Sequence, residues 1–237
     1  MKEVADFWVS RVTPNKDGSY SINNVVGANE FAPNVNNNAF TNGAAITALK
    51  FTVKAAIEIG ATPNPEWKFV SEKIKILKFK DGTTKEHENY KGEIIKQADV
   101  NLLSFPLNIV SDKETILKDL KYYEPKLSKE GPAMGKSIFS ILYARQGDVS
   151  NAYRLFKESY VPNQQHPFGA LSEVATSNFS YFATGAGGML QSILFGFGGL
   201  EFTDNGIVQK NPMLPKEWES LTIKGVGKDK KTFRIEN

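Results

Sequence analysis

Apolar residues recur at helical spacing along most of this chain, and after Gly199 the period changes to two. The polypeptide is thereby committed to a run of helices followed by short strands. Val4, Phe7, Trp8 and Val12 mark a first helix, which Pro14 and the turn Asn15-Lys16-Asp17-Gly18 bring to a stop. A long helix is expected over residues 38–59, with Phe40, Ala44, Ala48, Phe51 and Ala55 on one face. Further helical patterns cover residues 65–77, 93–105, 112–123, 132–146, 148–160 and 178–197. The last of these is dotted with Gly185, Gly187 and Gly188, as close backbone packing requires. Leu200-Glu201-Phe202, Gly206-Ile207-Val208 and Leu221-Thr222-Ile223 then read as strands separated by turns.

Three polar stretches, residues 19–38, 80–90 and 161–175, are too long to be casual connections. All three join helices, so they are expected to converge at one end of a helical array and to carry the function. Composition excludes several alternatives. There is no cysteine, and His87 and His166 are the only histidines, so neither a thiolate nor a histidine-rich metal centre is expected. A net charge of +3, with lysines interleaved among acids, gives no nucleic-acid stripe. The longest apolar candidate for a membrane span, residues 179–200, is interrupted by six glycines, so the chain reads as a soluble segment. No cofactor motif is present, and nothing in the sequence fixes the compartment.

Two carboxyls stand out by their surroundings. Glu30 lies in Val25-Val26-Gly27-Ala28-Asn29-Glu30-Phe31, with no basic residue between Lys16 and Lys50 and with Asn34, Asn36, Asn37, Asn38 and Asn42 close behind. A carboxyl among apolar groups and neutral amides is expected to be desolvated, with its pKa raised, which suits a general acid. Glu173 lies in Pro167-Phe168-Gly169-Ala170-Leu171-Ser172-Glu173, just ahead of the last expected helix, where a helix N-terminus would favour its ionised form as a base needs. Taken singly, each reads first as an ordinary surface acid: the first in an asparagine-rich capping loop, the second in a helix first turn. Brought together across a cleft, they form the minimal kit for glycoside hydrolysis. Tyr20, Phe31, Phe40, Tyr90 and Phe168 lie near these loops and are candidates to stack on sugar rings, or core residues.

At these loops the chain resembles glycoside hydrolase family 65. Phe7-Trp8-Val9-Ser10-Arg11 is similar to the helix that precedes the family's acid loop. Val26-Gly27-Ala28-Asn29-Glu30-Phe31, with Asn37-Asn38-Ala39-Phe40-Thr41-Asn42, resembles the Gly-Pro-Asp-Glu-Tyr loop and its Asn-Asn-Ala-Tyr-Thr-Asn continuation. Ile95-Lys96-Gln97-Ala98-Asp99-Val100 is similar to the Lys-Gln-Ala-Asp-Val segment, and the stretch from Gly185 to Gly199 to the family's closing glycine-rich helix and turn. The resemblance implies that Glu30 is the general acid and that Lys96 and Gln97 bind hydroxyls of the donor glucose. Ala28, Asn29 and Ala32 depart from the family's proline, aspartate and common histidine but leave the acid in place.

Within the family, phosphorylases use phosphate as the nucleophile, whereas hydrolases need a second carboxylate to deprotonate water. The segment ending in Ser172-Glu173, and Gly131-Pro132-Ala133-Met134, resemble the hydrolytic branch of kojibiose hydrolases and glucosylgalactosyl-hydroxylysine glucosidases. Glu173 is then the base, and inverting hydrolysis of an α-glucosidic bond is the expected activity. A phosphorylase and a non-catalytic helical interaction module are the alternatives.

The implied fold is mainly α. Residues 1–199 would form the C-terminal part of an (α/α)6 toroid of helical hairpins, and residues 200–237 the start of a small β-sheet domain. Roughly eight helices are legible where a closed double ring needs about twelve. The expected partners are therefore a carbohydrate substrate and either the missing N-terminal half of the enzyme or a second copy of the chain, drawn to uncovered apolar faces.

Overall fold

The computed structural model describes residues 1–177, 179 and 181–237. It is mainly helical, with small two-stranded sheets, and divides into two compact units: residues 1–95 with 99–126, and residues 96–98 with 127–237.

In the first unit, helix α1 (Lys2–Arg11) is followed by the short strands β1 (Thr13–Pro14) and β2 (Tyr20–Ser21), which pair antiparallel. Helix α2 (Ala39–Glu58) starts where Asn38 accepts the Thr41 N–H at 2.8 Å, an N-cap that satisfies a donor the helix itself leaves unpaired. Helix α3 (Pro65–Lys73) has Asn64 as its cap and proline at its first position. Helix α4 (Lys113–Tyr123) is capped by Asp112, whose carboxylate accepts the Thr115 N–H at 2.8 Å. Ala5, Ile22, Ala45, Ile46, Leu49, Trp67, Val70 and Ile74 form one core between α1, α2 and α3. Tyr90 stacks on Tyr123, the last residue of α4, at 5.8 Å, and both are buried.

The second unit is built on α5 (Met134–Arg145) and α6 (Val149–Glu158), the latter capped by Asp148. Strands β3 (Gln164–Gln165) and β4 (Ala170–Leu171) make a small hairpin ahead of α7 (Ala183–Gln191), which continues as a π-helical turn, Ser192–Phe197. Phe197 is buried edge-on against Phe156 of α6 at 5.5 Å and against Trp218 at 5.1 Å. A Cβ on Gly188 would lie 2.8 Å from the Ser137 hydroxyl, and one on Gly196 would lie 3.3 Å from the Ile141 Cα. Gly188 and Gly196 therefore allow close packing on α5, whereas a Cβ on Gly187 would meet nothing within 4 Å. The unit ends in the hairpins β5 (Leu200–Thr203) with β6 (Gly206–Gln209) and β7 (Ser220–Val226) with β8 (Lys231–Glu236).

Three expectations are corrected. Residues 93–105 are not an α-helix: only Val100–Leu103 form a 3-10 turn. The apolar spacing there reflects burial of Ile95, Ala98, Val100 and Leu103 along an irregular chain, not one helical face. The helix expected over residues 65–77 ends at Lys73, and the one expected over 178–197 begins at Ala183. Asn178 and Ser180 lie outside the described residues. Glu173 is thus ten positions ahead of α7 and not at its N-terminus, so the dipole of that helix is not what acts on its carboxylate.

Candidate active site

Glu30 sits at the tip of a loop whose root is tied shut. Val25 and Val35 exchange both main-chain hydrogen bonds at 3.0 Å, and the Asn37 N–H reaches the Ile22 carbonyl at 2.8 Å. Asn24, Asn34 and Asn37 adopt left-handed backbone angles (φ 53–55°), a conformation asparagine tolerates better than other side chains. Asn38 caps α2, and Asn42 donates to the Lys75 carbonyl at 2.8 Å. The asparagine-rich stretch is therefore a loop-building device as well as a neighbour of the acid. At the tip, Asn29-Glu30-Phe31-Ala32 forms a turn closed by Ala32 N–H donating to the Asn29 carbonyl at 3.1 Å.

Glu30 and Phe31 are exposed, so the desolvation expected at Glu30 does not occur there. Burial falls one layer deeper, on Asn29, Glu86 and Asp99. The Asp99 carboxylate accepts the Asn29 main-chain N–H at 3.1 Å and the Asn38 side-chain amide at 3.0 and 3.1 Å, with a longer contact from the Phe40 N–H at 3.4 Å. The Asn29 side-chain amide donates to Glu86 Oε1 at 2.9 Å, and its Oδ1 accepts the Phe31 N–H at 3.2 Å. Burial, reinforced by the neighbouring Asp99 charge, pushes the Glu86 carboxyl up to about 8, against the opposing pull of the Asn29 amide. Burial likewise raises Asp99, while the Asn29 and Asn38 donors oppose it. Gly27 is needed for this approach, because a Cβ there would lie 2.2 Å from Asn38 Nδ2 and 2.4 Å from Asp99 Oδ2.

The second carboxyl belongs to the other unit. Ser172 is buried, and the Glu173 carbonyl accepts both the Asn163 side-chain amide at 3.1 Å and the Ala133 N–H at 3.2 Å. Ala133 is the N-cap of α5 and offers no side-chain cap, so the Glu173 main chain serves the start of α5. The Glu173 side chain is about half exposed at 49%, and its Oε1 lies 3.8 Å from the Lys96 ammonium, itself 25% exposed. Gln97 is adjacent, with a buried side-chain oxygen that has no hydrogen-bond partner. Gly131 and Gly135 admit this segment: a Cβ on Gly131 would lie 2.2 Å from the Lys96 carbonyl oxygen, and one on Gly135 would lie 3.4 Å from the Gln97 Cα.

Of the four site residues expected from sequence, Glu173, Lys96 and Gln97 thus gather in one unit, and Glu30 is presented by the other. Among the candidate sugar-stacking aromatics, Tyr90 is core, whereas Phe31 and Phe168 are exposed. The buried pair Glu86 and Asp99 was not singled out from the sequence. Asp99 sits inside a recognised segment, but nothing local distinguishes Glu86 from the charged loop around it. Among the described residues, no group of three or more His, Cys, Asp or Glu side chains could hold a metal ion, and no helix is long and apolar enough to cross a membrane.

The model of the glycosyl hydrolase family 65 central catalytic domain matches residues 1–78 and 65–166. Kojibiose hydrolase from Mucilaginibacter mallensis is 49% identical over 98% of this chain, and that from Flavobacterium johnsoniae is 48% identical over 98%. A protein-glucosylgalactosylhydroxylysine glucosidase from Danio rerio is 38% identical over 94%. The chain spans about a third, 34%, of the length of each of these relatives. A solved structure from the human microbiome, a candidate kojibiose phosphorylase, superposes with a TM-score of 0.78 at 20% identity, covering 99% of this chain and 38% of that one. That likeness speaks for the fold alone.

Proposed function

This chain belongs to glycosyl hydrolase family 65, and we propose that it carries the acid and the base of an inverting hydrolase of α-glucosidic bonds. Glu30 donates a proton to the glycosidic oxygen as the bond to the leaving sugar breaks. Glu173 takes a proton from water, which attacks the anomeric carbon from the opposite face and inverts its configuration. Inverting glycosidases generally keep their acid and base carboxyls about 6.5–9.5 Å apart, which leaves room for that water. Lys96 and Gln97 bind hydroxyls of the donor glucose. The Lys96–Glu173 contact of 3.8 Å is longer than a charge-assisted hydrogen bond, so the ammonium is able to exchange the carboxylate for a sugar hydroxyl. The unpartnered Gln97 oxygen is an acceptor suited to the same sugar.

The observation that carries this reading is a second carboxylate, Glu173, in a chain 49% identical to a kojibiose hydrolase. A carboxylate at the nucleophile's position suits water and would repel phosphate. The substrate is accordingly a kojibiose-like disaccharide or a glucosyl-galactosyl conjugate. Residues 1–199 are assigned to the C-terminal part of an (α/α)6 toroid and residues 200–237 to the start of a small β domain. Because the chain spans a third of its relatives' length, the polypeptide alone is expected to turn kojibiose over weakly or not at all. The test is incubation of kojibiose with this chain, and with the longest gene product that includes it, with and without inorganic phosphate. Phosphate-independent release of β-glucose by the longer product supports a hydrolase. Phosphate-dependent release of β-glucose 1-phosphate would replace it with a phosphorylase.

A further inference from the structure

Asp99 and Glu86 are wholly buried, yet the chemistry just described gives neither a step. Burying a carboxyl is costly unless hydrogen bonds compensate it, and the donors that reach these two come from the acid loop and the start of α2. Asp99 takes the Asn29 main-chain N–H, immediately before Glu30. Glu86 takes the Asn29 side-chain amide, whose oxygen in turn takes the Phe31 N–H, immediately after Glu30. Asn38, which grips Asp99 with its amide, uses its oxygen to start α2. Gly27 has no Cβ where one would enter this contact. The peptide before Glu30 is therefore tied directly to Asp99, and the peptide after it is tied through the Asn29 side chain to Glu86.

We infer that Asp99 and Glu86 are positioning residues for Glu30, clamping the Asn29–Phe31 turn through Asn29 so that the exposed carboxyl is held in one place. The inference rests on Glu30 being the acid. A general acid has to meet its oxygen at hydrogen-bond distance, and a misplacement of about 1 Å can cost about 10²-fold in rate. On a loop that occupies residues 22–38, such placement depends on what lies beneath. The raised proton affinity of Glu86 fits the clamp: as a neutral carboxyl beside Asp99 it accepts from Asn29 without adding a second buried charge. Asn29 is matched to this arrangement, since an aspartate in its place would lack the N–H that Glu86 accepts.

The test uses the longest gene product that includes this chain, and the chain itself for amide exchange. Asp99→Asn keeps the shape but weakens the acceptor, and Asn29→Asp sets two carboxyls together. Each is expected to lower kcat about 10–100-fold with KM within about two-fold, and to speed exchange of the Asn29 and Phe31 amides while leaving α2 protected. Adding Glu86→Gln to Asn29→Asp reverses donor and acceptor, and is expected to restore kcat to within a few-fold and to slow the Phe31 amide again. A role in folding alone would not give this reciprocal rescue. Unchanged kcat in both single variants, or exchange accelerated throughout the unit with no rescue by the double variant, would overturn the inference. Glu30→Gln separates the two levels: if it leaves turnover intact, the acid assignment itself has failed. If it abolishes turnover while Asp99→Asn and Asn29→Asp do not lower it, only the clamp has.

Discussion

The two loops that carry Glu30 and Glu173 solve one problem in opposite ways. The first places its carboxyl in the open and stacks buried carboxyls and amides beneath it, with Asn29 as the link to both Asp99 and Glu86. The second keeps its carboxyl half exposed with a lysine 3.8 Å away, and holds its main chain through the Asn163 amide and the Ala133 N–H at the start of α5. The first loop is fixed by a costly buried network, the second by ordinary backbone bonds and a loose ion pair. In the proposed roles, an acid has to be aimed at one oxygen, whereas a base acts on a water that adjusts its own position. That difference in tolerance matches the difference in construction.

The comparison breaks most sharply at the carboxyls themselves. In the longest gene product, Glu30→Gln and Glu173→Gln are each expected to lower kcat by about 10²–10⁴-fold, the usual contribution of a positioned acid or base. Retained hydrolysis in either variant would remove that residue from the chemistry. Next come the glycines that admit each network. Gly27→Ala drives a Cβ into Asn38 and Asp99, and Gly131→Ala drives one into the Lys96 carbonyl. Each is expected to destabilise its unit by about 1–3 kcal/mol, measured as a lowered urea midpoint. An unshifted midpoint for Gly27→Ala would mean that the acid loop is looser than its contacts imply.

The third test is pH. Glu86 and Asp119 are buried and raised, to about 8 and about 6, so each binds its proton more tightly in the folded than in the unfolded state. Their contribution is complete at pH values below the ordinary carboxylate range and is lost as pH rises through those raised values. Stability should therefore decline as pH rises from about 5 to 8. Glu86→Gln is expected to remove up to about 1.4 kcal/mol per pH unit of that slope, read from denaturation midpoints by tryptophan fluorescence. The smallest effect is expected at the ion pair: Lys96→Met should raise KM for kojibiose about ten-fold and leave stability within about 0.5 kcal/mol, as a half-exposed pair contributes little. A large loss of stability would instead make Lys96 a structural cation.

Much of this could be read before any coordinates. The helices expected to start at residues 38, 65, 112 and 148 do start within one residue of those positions, where Asn38, Asn64, Asp112 and Asp148 cap them, because capping is decided within three residues of chain. The change of period after Gly199 likewise marked β5, β6 and β7, since side-chain alternation is local, whereas β8, the partner of β7, was not read from it. The helix expected over residues 93–105 failed because periodicity records which residues are buried and not the backbone that buries them. The burial expected of Glu30 failed for a related reason: apolar and amide neighbours in sequence line the root of the loop, and the carboxyl at its tip projects beyond them.

The sequence by itself determined the family and most of the helical succession, and it nominated the four candidate site residues, because these depend on local pattern and on motifs carried along the chain. Only the tertiary structure decided that Asn29 links Glu86 and Asp99, 57 and 70 positions away, and that Lys96 meets Glu173. The physical reason is that burial and charge are properties of neighbours in space: a carboxyl's environment is set by what the fold brings against it, and residues adjacent in the chain supply little of that.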